Sequence, residues 1–164
     1  MAPILISIFS LLISVVGLGF AIFSWRETNR PVLVARVATV TGGNENIFLN
    51  LVVENTGNRP AKNIQLIACL NDVKAIIDQQ GDIPTDANRC FFSNVSIPVL
   101  SNGKAVSNAF GHLGRADGAW IAGSTLPLKI KYSDLKDRKF SEKIELLLAD
   151  DAGFAQTFWE STIK

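Results

Sequence analysis

Residues 47–70 read IFLNLVVENTGNRPAKNIQLIACL, and the fold turns on them. Ile47, Leu49, Leu51 and Val53 alternate with Phe48, Asn50, Val52 and Glu54, the period of a strand with one buried face. Asn55-Thr56-Gly57-Asn58-Arg59-Pro60 is a dense turn signal. Ile64, Leu66, Ala68 and Leu70 then alternate again. On the N-terminal side, Val32 to Val40 (VLVARVATV) is β-branched and reads as a further strand, closed by Thr41-Gly42-Gly43-Asn44. Three strands joined by short turns are expected to pair antiparallel.

The same alternation recurs towards the C-terminus. Leu126, Leu128, Ile130 and Tyr132 form a strand, Ser133 to Arg138 turns it, and Phe140, Ile144, Leu146 and Leu148 continue, with Glu142 as the interruption. Phe91 to Leu100 is strand-like, with Pro98 arguing for an edge. Ser101-Asn102-Gly103 is a hairpin-type turn and Lys104 to Phe110 its return strand. Asn71 to Asn88 is polar, with a short strand or one helical turn around Val73 to Ile77. Gly111 to Ser124 is the least regular stretch, and Phe154 to Trp159 reads as a last edge strand. Seven to nine short strands without a convincing soluble helix indicate an all-β domain, an immunoglobulin-like antiparallel β-sandwich. The absence of helices between strands excludes a doubly wound α/β sheet.

Before this domain comes an uncharged run of 23 residues, Pro3 to Trp25. About 20 apolar residues cross a hydrocarbon core of about 30 Å, so residues 1–30 are expected to be one transmembrane helix and its juxtamembrane turn, with 31–164 the β domain. No basic n-region precedes the run and no small-x-small cleavage site ends it, which favours a retained signal anchor over a cleaved signal peptide. Trp25 suits the membrane interface, and Arg26 and Arg30 the headgroup level. The excess of Arg26, Arg30 and Arg36 after the span points to a single-pass protein of the inner or plasma membrane with its domain in the cytoplasm.

With Arg26, Glu27 and Arg30 set aside, the 16 basic and 15 acidic residues become 14 and 14. A neutral domain has no field to draw in nucleic acid, so no nucleic-acid partner is expected. Cys69 and Cys90 lie in apolar strand-like stretches, where a free thiol behaves as a small buried hydrophobe; one disulfide is the alternative. No C-x-x-C supports a metal site.

The stretch Leu51 to Leu66, LVVENTGNRPAKNIQL, resembles a recurrent motif of bacterial and archaeal Ig-like sandwiches: apolar strand, Asn-x-Gly turn, Pro-Ala, apolar strand. Ile97 to Val106, IPVLSNGKAV, is similar to a stretch that often follows it. With its single span, the whole chain resembles small single-pass bacterial membrane proteins carrying such a domain. The resemblance implies a fold and no catalytic residues.

Function then rests on surfaces. Ser7, Ser10, Ser14, Gly17, Ala21 and Ser24 follow one another at spacings of 3, 4, 3, 4 and 3. At 100° per residue they occupy an arc of about 100°, a smooth face on which another transmembrane helix can pack. His112, Arg115 and Trp120 lie in the irregular loop as possible recognition residues. His112, the only histidine, reads as a solvated loop residue, with Asp117 too thin a partner for acid–base work. Trp120 fits a recognition role and a core plug equally. Lys129, Lys131, Lys139 and Lys143 share one strand face, more a solvated surface than a contact to anionic headgroups. The acid pairs Asp82/Asp86, Asp134/Asp137 and Asp150/Asp151 fall in turns without a calcium-loop ligand set, and Asn94-Val95-Ser96 is a formal glycosylation sequon.

These readings converge on a non-enzymatic membrane-anchored accessory or assembly subunit with no cofactor, no metal and no small-molecule substrate. Its expected partners are the lipid bilayer, other transmembrane helices in a hetero- or homo-oligomer, and a neighbouring protein that the domain docks on. The alternative is an envelope-facing module that binds a ligand or polymer through the 111–124 loop.

Overall fold

Alternating side chains force each strand of this chain to bury one face, and the computed structural model shows two antiparallel sheets doing so against each other. It describes residues 2–42, 46–77, 83–93, 95–114 and 119–149. Helix α1 (Ala2–Thr28) leads into β1 (Leu33–Gly42), β2 (Asn46–Asn55) and β3 (Ala61–Ala68). Two short helices follow, α2 (Leu70–Ala75) and α3 (Thr85–Phe91), then β4 (Ile97–Leu100), β5 (Ala105–Gly114), β6 (Thr125–Ser133) and β7 (Lys139–Leu147). One sheet has the order β1-β2-β5 and the other β4-β3-β6-β7.

The core lies between the sheets. Leu33 and Val37 of β1, with Leu49, Leu51 and Val53 of β2, belong to the same buried cluster as Ile64, Leu128, Ile130 and Leu146 of the other sheet. In β6, Leu126, Leu128, Ile130 and Tyr132 are buried while the residues between them are exposed, as the alternation requires. The four lysines at 129, 131, 139 and 143 do point outward from the β6–β7 pair, with Lys129 directly opposite Lys143. Pro98 sits on β4, an edge strand, where its missing N–H breaks no interior ladder.

Two expected hairpins are instead crossings between sheets. β2 and β3 do not pair, and neither do β4 and β5. Both connections are bound to one residue, Asn55. Its N–H donates to the Lys104 carbonyl at 3.0 Å and its carbonyl accepts from Gly103 N–H at 2.8 Å. The Asn-Gly turn is thereby tied to the end of β2 and not to a partner strand.

Phe91 to Leu100 is also not one strand. α3 ends at Phe91, and Ala87 and Phe91, one helical turn apart, are its buried residues. Phe91 meets Phe110 edge-on at a centroid distance of 5.7 Å. The cysteines consequently leave the strands they were expected to occupy. Cys69 precedes α2 and is exposed, Cys90 lies half-buried in α3, and both thiols are free. Burial, with Asp86 adding to it, pushes the Cys90 thiol up to about 11.

The start of the irregular stretch turns out to be strand. β5 continues to Gly114, with a bulge where Leu49 pairs Gly111 and Asn50 pairs Ala109. The bulge lets Phe110 and Leu113, three apart, both face inward. Arg115, Asp117, Asp82, Asn94, Asp150, Asp151 and the expected last strand over 154–159 lie outside the described residues.

Candidate functional site

α1 is long and apolar enough to cross a membrane, over Ile6–Thr28, and none of that window is buried against the rest of the chain. Ser7, Ser10, Ser14, Gly17, Ala21 and Ser24 lie along it fully open. A Cβ placed on Gly17 would meet nothing within 4 Å. Two of the stripe's hydroxyls are satisfied within the helix: Ser7 Oγ donates to the Pro3 carbonyl at 3.0 Å and Ser14 Oγ to that of Ser10 at 2.9 Å. Such internal bonds leave the stripe a steric groove with little polar demand of its own.

The helix is not tethered loosely. Asn29 folds back on the last turn, its N–H and its Nδ2 both donating to the Trp25 carbonyl at 3.0 Å. Asn58 Nδ2 donates to the Thr28 carbonyl at 3.1 Å, and the Arg59 guanidinium lies 5.4 Å over the Trp25 ring. Gly57 packs so tightly that a Cβ there would stand 2.5 Å from the Arg30 carbonyl oxygen and 2.7 Å from the Pro31 carbonyl carbon. The Gly57 of the expected turn is thus required by close approach of the helix exit.

Glu142, the odd residue in the alternation of β7, completes this junction. It faces inward at the same end and accepts from Arg30 Nη1 at 3.4 Å. The Tyr132 hydroxyl lies 2.9 Å from Glu142 Oε1 and 3.1 Å from the Pro31 carbonyl oxygen, so its single proton serves one at a time. Burial and then the neighbouring carboxylate hold the Tyr132 phenol well above its ordinary range. Arg30, expected at headgroup level, therefore also bridges α1 to the domain, and its Nε lies 3.6 Å from Glu27.

Beside it, the β6–β7 turn is organised by buried Asp134. Its Oδ1 accepts the backbone N–H groups of Lys136 at 2.8 Å and Arg138 at 3.0 Å, and its Oδ2 meets Arg138 Nε at 2.6 Å. Burial by itself would raise this carboxyl, but the hydrogen bonds from Arg138 and Lys136 outweigh it and hold it below the usual range. A lowered folded-state value means stability that is present above the unfolded value of about 3.9 and is lost as pH falls through the folded one. Asp134→Asn is therefore expected to lower Tm at neutral pH. The gap to the native protein should close as the medium is acidified below about pH 4. A gap that stays constant with pH would contradict the assignment.

The residues of the expected recognition loop fall in different settings. Trp120 is 2% exposed and stacks on Phe110 at 4.6 Å, with Nε1 donating to the Phe110 carbonyl at 2.9 Å. It is a core plug. His112 is a half-buried residue of β5, its ring 6.1 Å from Phe48, and its buried Nε2 meets no hydrogen-bond partner among the described residues. Arg115 lies outside the described residues. The structure brings together Trp25, Arg26 and Arg30 with residues that the sequence did not mark: Arg59, Tyr132, Lys136, Arg138 and Glu142. The Asn-x-Gly turn was the available signal for Arg59. Nothing in the spacing linked it to the β6–β7 turn. Among the described residues, no cluster of three or more His, Cys, Asp or Glu could hold a metal.

No curated protein matches this chain. The profile of the family described as "Domain of unknown function (DUF8453)" matches residues 4–150, which takes in all but the first two residues of α1 and all seven described strands. The chain belongs to the DUF8453 family.

Proposed function

We propose that this protein is a non-enzymatic, membrane-anchored accessory or assembly subunit. In this reading α1 is a retained single-pass anchor, its small-residue face packs on a partner transmembrane helix, and the β domain docks on a neighbouring protein on the cytoplasmic side. The observation that carries it is the pairing of an uncovered apolar helix with a rigid exit into the domain. A helix that only had to be cleaved would need no such joint. The family match beginning at residue 4, inside the helix, favours retention in the same way.

The domain is read as an immunoglobulin-like sandwich. Lettered A to G in chain order, its strands give A-B-E on one sheet and D-C-F-G on the other. That differs from the constant-type arrangement by the fourth strand moving to the opposite sheet. Such folds present surfaces more than chemistry, and the burial of Trp120 favours docking over the loop-binding alternative.

Gly17→Leu is expected to reduce co-purification of partners, or self-association, by about tenfold in mild detergent, since a close helix contact is worth roughly 1–2 kcal/mol. Gly19→Leu, on the opposite side, is the control. Equal recovery from both variants would reject the packing face.

A further inference from the structure

Where the end of α1 meets the β6–β7 turn there is a hollow of about 250 Å³. Trp25 and Arg26 line it from the helix, Arg59 from the β2–β3 crossing, and Leu135, Lys136 and Arg138 from the turn. The carboxylates at this end are already engaged: Glu27 and Glu142 with Arg30, Asp134 with Arg138, Asp137 with Lys62. Asp134 also lines the hollow, but both its oxygens are taken by hydrogen bonds from Lys136 and Arg138. Among the described residues, no carboxylate comes within ion-pair distance of Arg26, Arg59 or Lys136. Three cations without a carboxylate partner among the described residues therefore line one concavity, in a domain whose overall charge is balanced. Guanidinium and ammonium groups so arranged fit a phosphate oxyanion.

Two further features specify how that phosphate is presented. Leu135 is 60% exposed at the tip of a turn whose backbone Asp134 fixes, so an apolar side chain projects beside the cations. The hollow also begins at Trp25, the last residue of the uncharged run, and reaches Asn29. At 1.5 Å per residue that is a depth of about 6 Å, comparable to one headgroup layer outside the hydrocarbon core.

We propose that this hollow is a binding site for a phosphate group, supplied by the headgroup of an anionic phospholipid. Arg59, Lys136 and Arg26 contact the phosphate, and Leu135 lies against the acyl region. The phosphate site stands on the geometry of the hollow. Its lipid source rests on the reading of α1 as a membrane anchor, because a soluble phosphate ester offers the same oxyanion.

The test is native mass spectrometry of the full chain released from mixed micelles of phosphatidylcholine and phosphatidylglycerol. Phosphatidylglycerol should be retained over phosphatidylcholine, at about one lipid per chain, and the double variant Arg59→Gln/Lys136→Gln should lower that retention by about tenfold. Lys129→Gln/Lys143→Gln, on the exposed strand face, should leave it unchanged with the circular dichroism spectrum of both variants native. No preference between lipids, or equal losses in the two variants, would overturn the proposal. Displacement of the lipid by equimolar glycerol 3-phosphate would overturn the lipid source. Alkaline carbonate extraction reports on the anchor separately: release of the protein into the soluble fraction would sink the anchor reading while leaving the phosphate measurement standing.

Discussion

Asn55→Ala is expected to destabilise the domain by about 3 kcal/mol, because it unpairs four buried or part-buried backbone groups at once. Asn55 is fully buried. Its Nδ2 donates to the carbonyls of Arg59 at 2.8 Å and Leu100 at 3.0 Å, and its Oδ1 accepts from Gly57 N–H at 3.1 Å and Val32 N–H at 3.4 Å. Four chain segments thus meet at one residue: its side chain holds the entry to β1, the crossing from β2 to β3 and the end of β4, and its backbone holds the turn before β5. Alanine fills none of these roles. Asn55→Asp keeps the acceptor but sets an anion against two carbonyl oxygens. Its cost should shrink as the medium is acidified, when the protonated carboxyl regains one donor. Thermal or urea unfolding of the full chain in detergent, followed by circular dichroism, measures both. A loss below about 1 kcal/mol for Asn55→Ala would mean that the bonds do not act together.

Trp120→Ala should cost about 3–5 kcal/mol, the range for removing a large aromatic from a core. The indole fills the end of the interlayer space, stacked on Phe110 with an interplanar angle of 10°. Phe110 in turn leans on Phe91 of α3, so the cavity would open beneath that helix as well. Trp120→Phe keeps most of the stacking and loses the bond to the Phe110 carbonyl, and should fall between alanine and the native protein. Gly111→Ala probes the same contact from the other side. Its Cβ would stand 2.7 Å from Trp120 Nε1, at a backbone φ of +125° that favours glycine. If Trp120→Ala unfolds at the native denaturant midpoint, the indole is not a core element.

What was legible follows from which residues carry local signals. β6 shows in Leu126, Leu128, Ile130 and Tyr132 because these are buried while Thr125, Pro127, Lys129 and Lys131 between and before them are exposed. α1 shows because 23 uncharged residues need no partner to be read. The sheet to which each strand belongs did not show. Asn55–Pro60 and Ser101–Gly103 have turn chemistry, and turn chemistry reports that the chain reverses, not which neighbour it then meets. α3 was missed because seven residues offer only Ala87 and Phe91 as a helical period, too few to outweigh the apolar run after them. Glu142 looked like a flaw in β7, since its partner Arg30 lies 112 residues away. The junction hollow was illegible for the same reason. Its cations come from three separate segments, and each alone looks like an ordinary surface charge.

The close seat of Gly57 against Arg30 and Pro31 has a consequence for helical phase. Gly57 seats the exit at 30–32 while Asn58 and Arg59 hold Thr28 and Trp25 of the helix itself, and together these contacts set the azimuth of the small-residue face relative to the sheets. On the proposed reading, a neighbour along Ser7 to Ser24 would stand under one fixed quadrant of the β domain. The two surfaces would then act as a keyed pair, like a plug whose pins admit one rotation. One residue added within the last turn of α1 would rotate the face by about 100°, and four would bring it back to within about 40°. On that reading, registry between membrane and domain would be set by residue count at a single joint, independently of how strongly either surface binds.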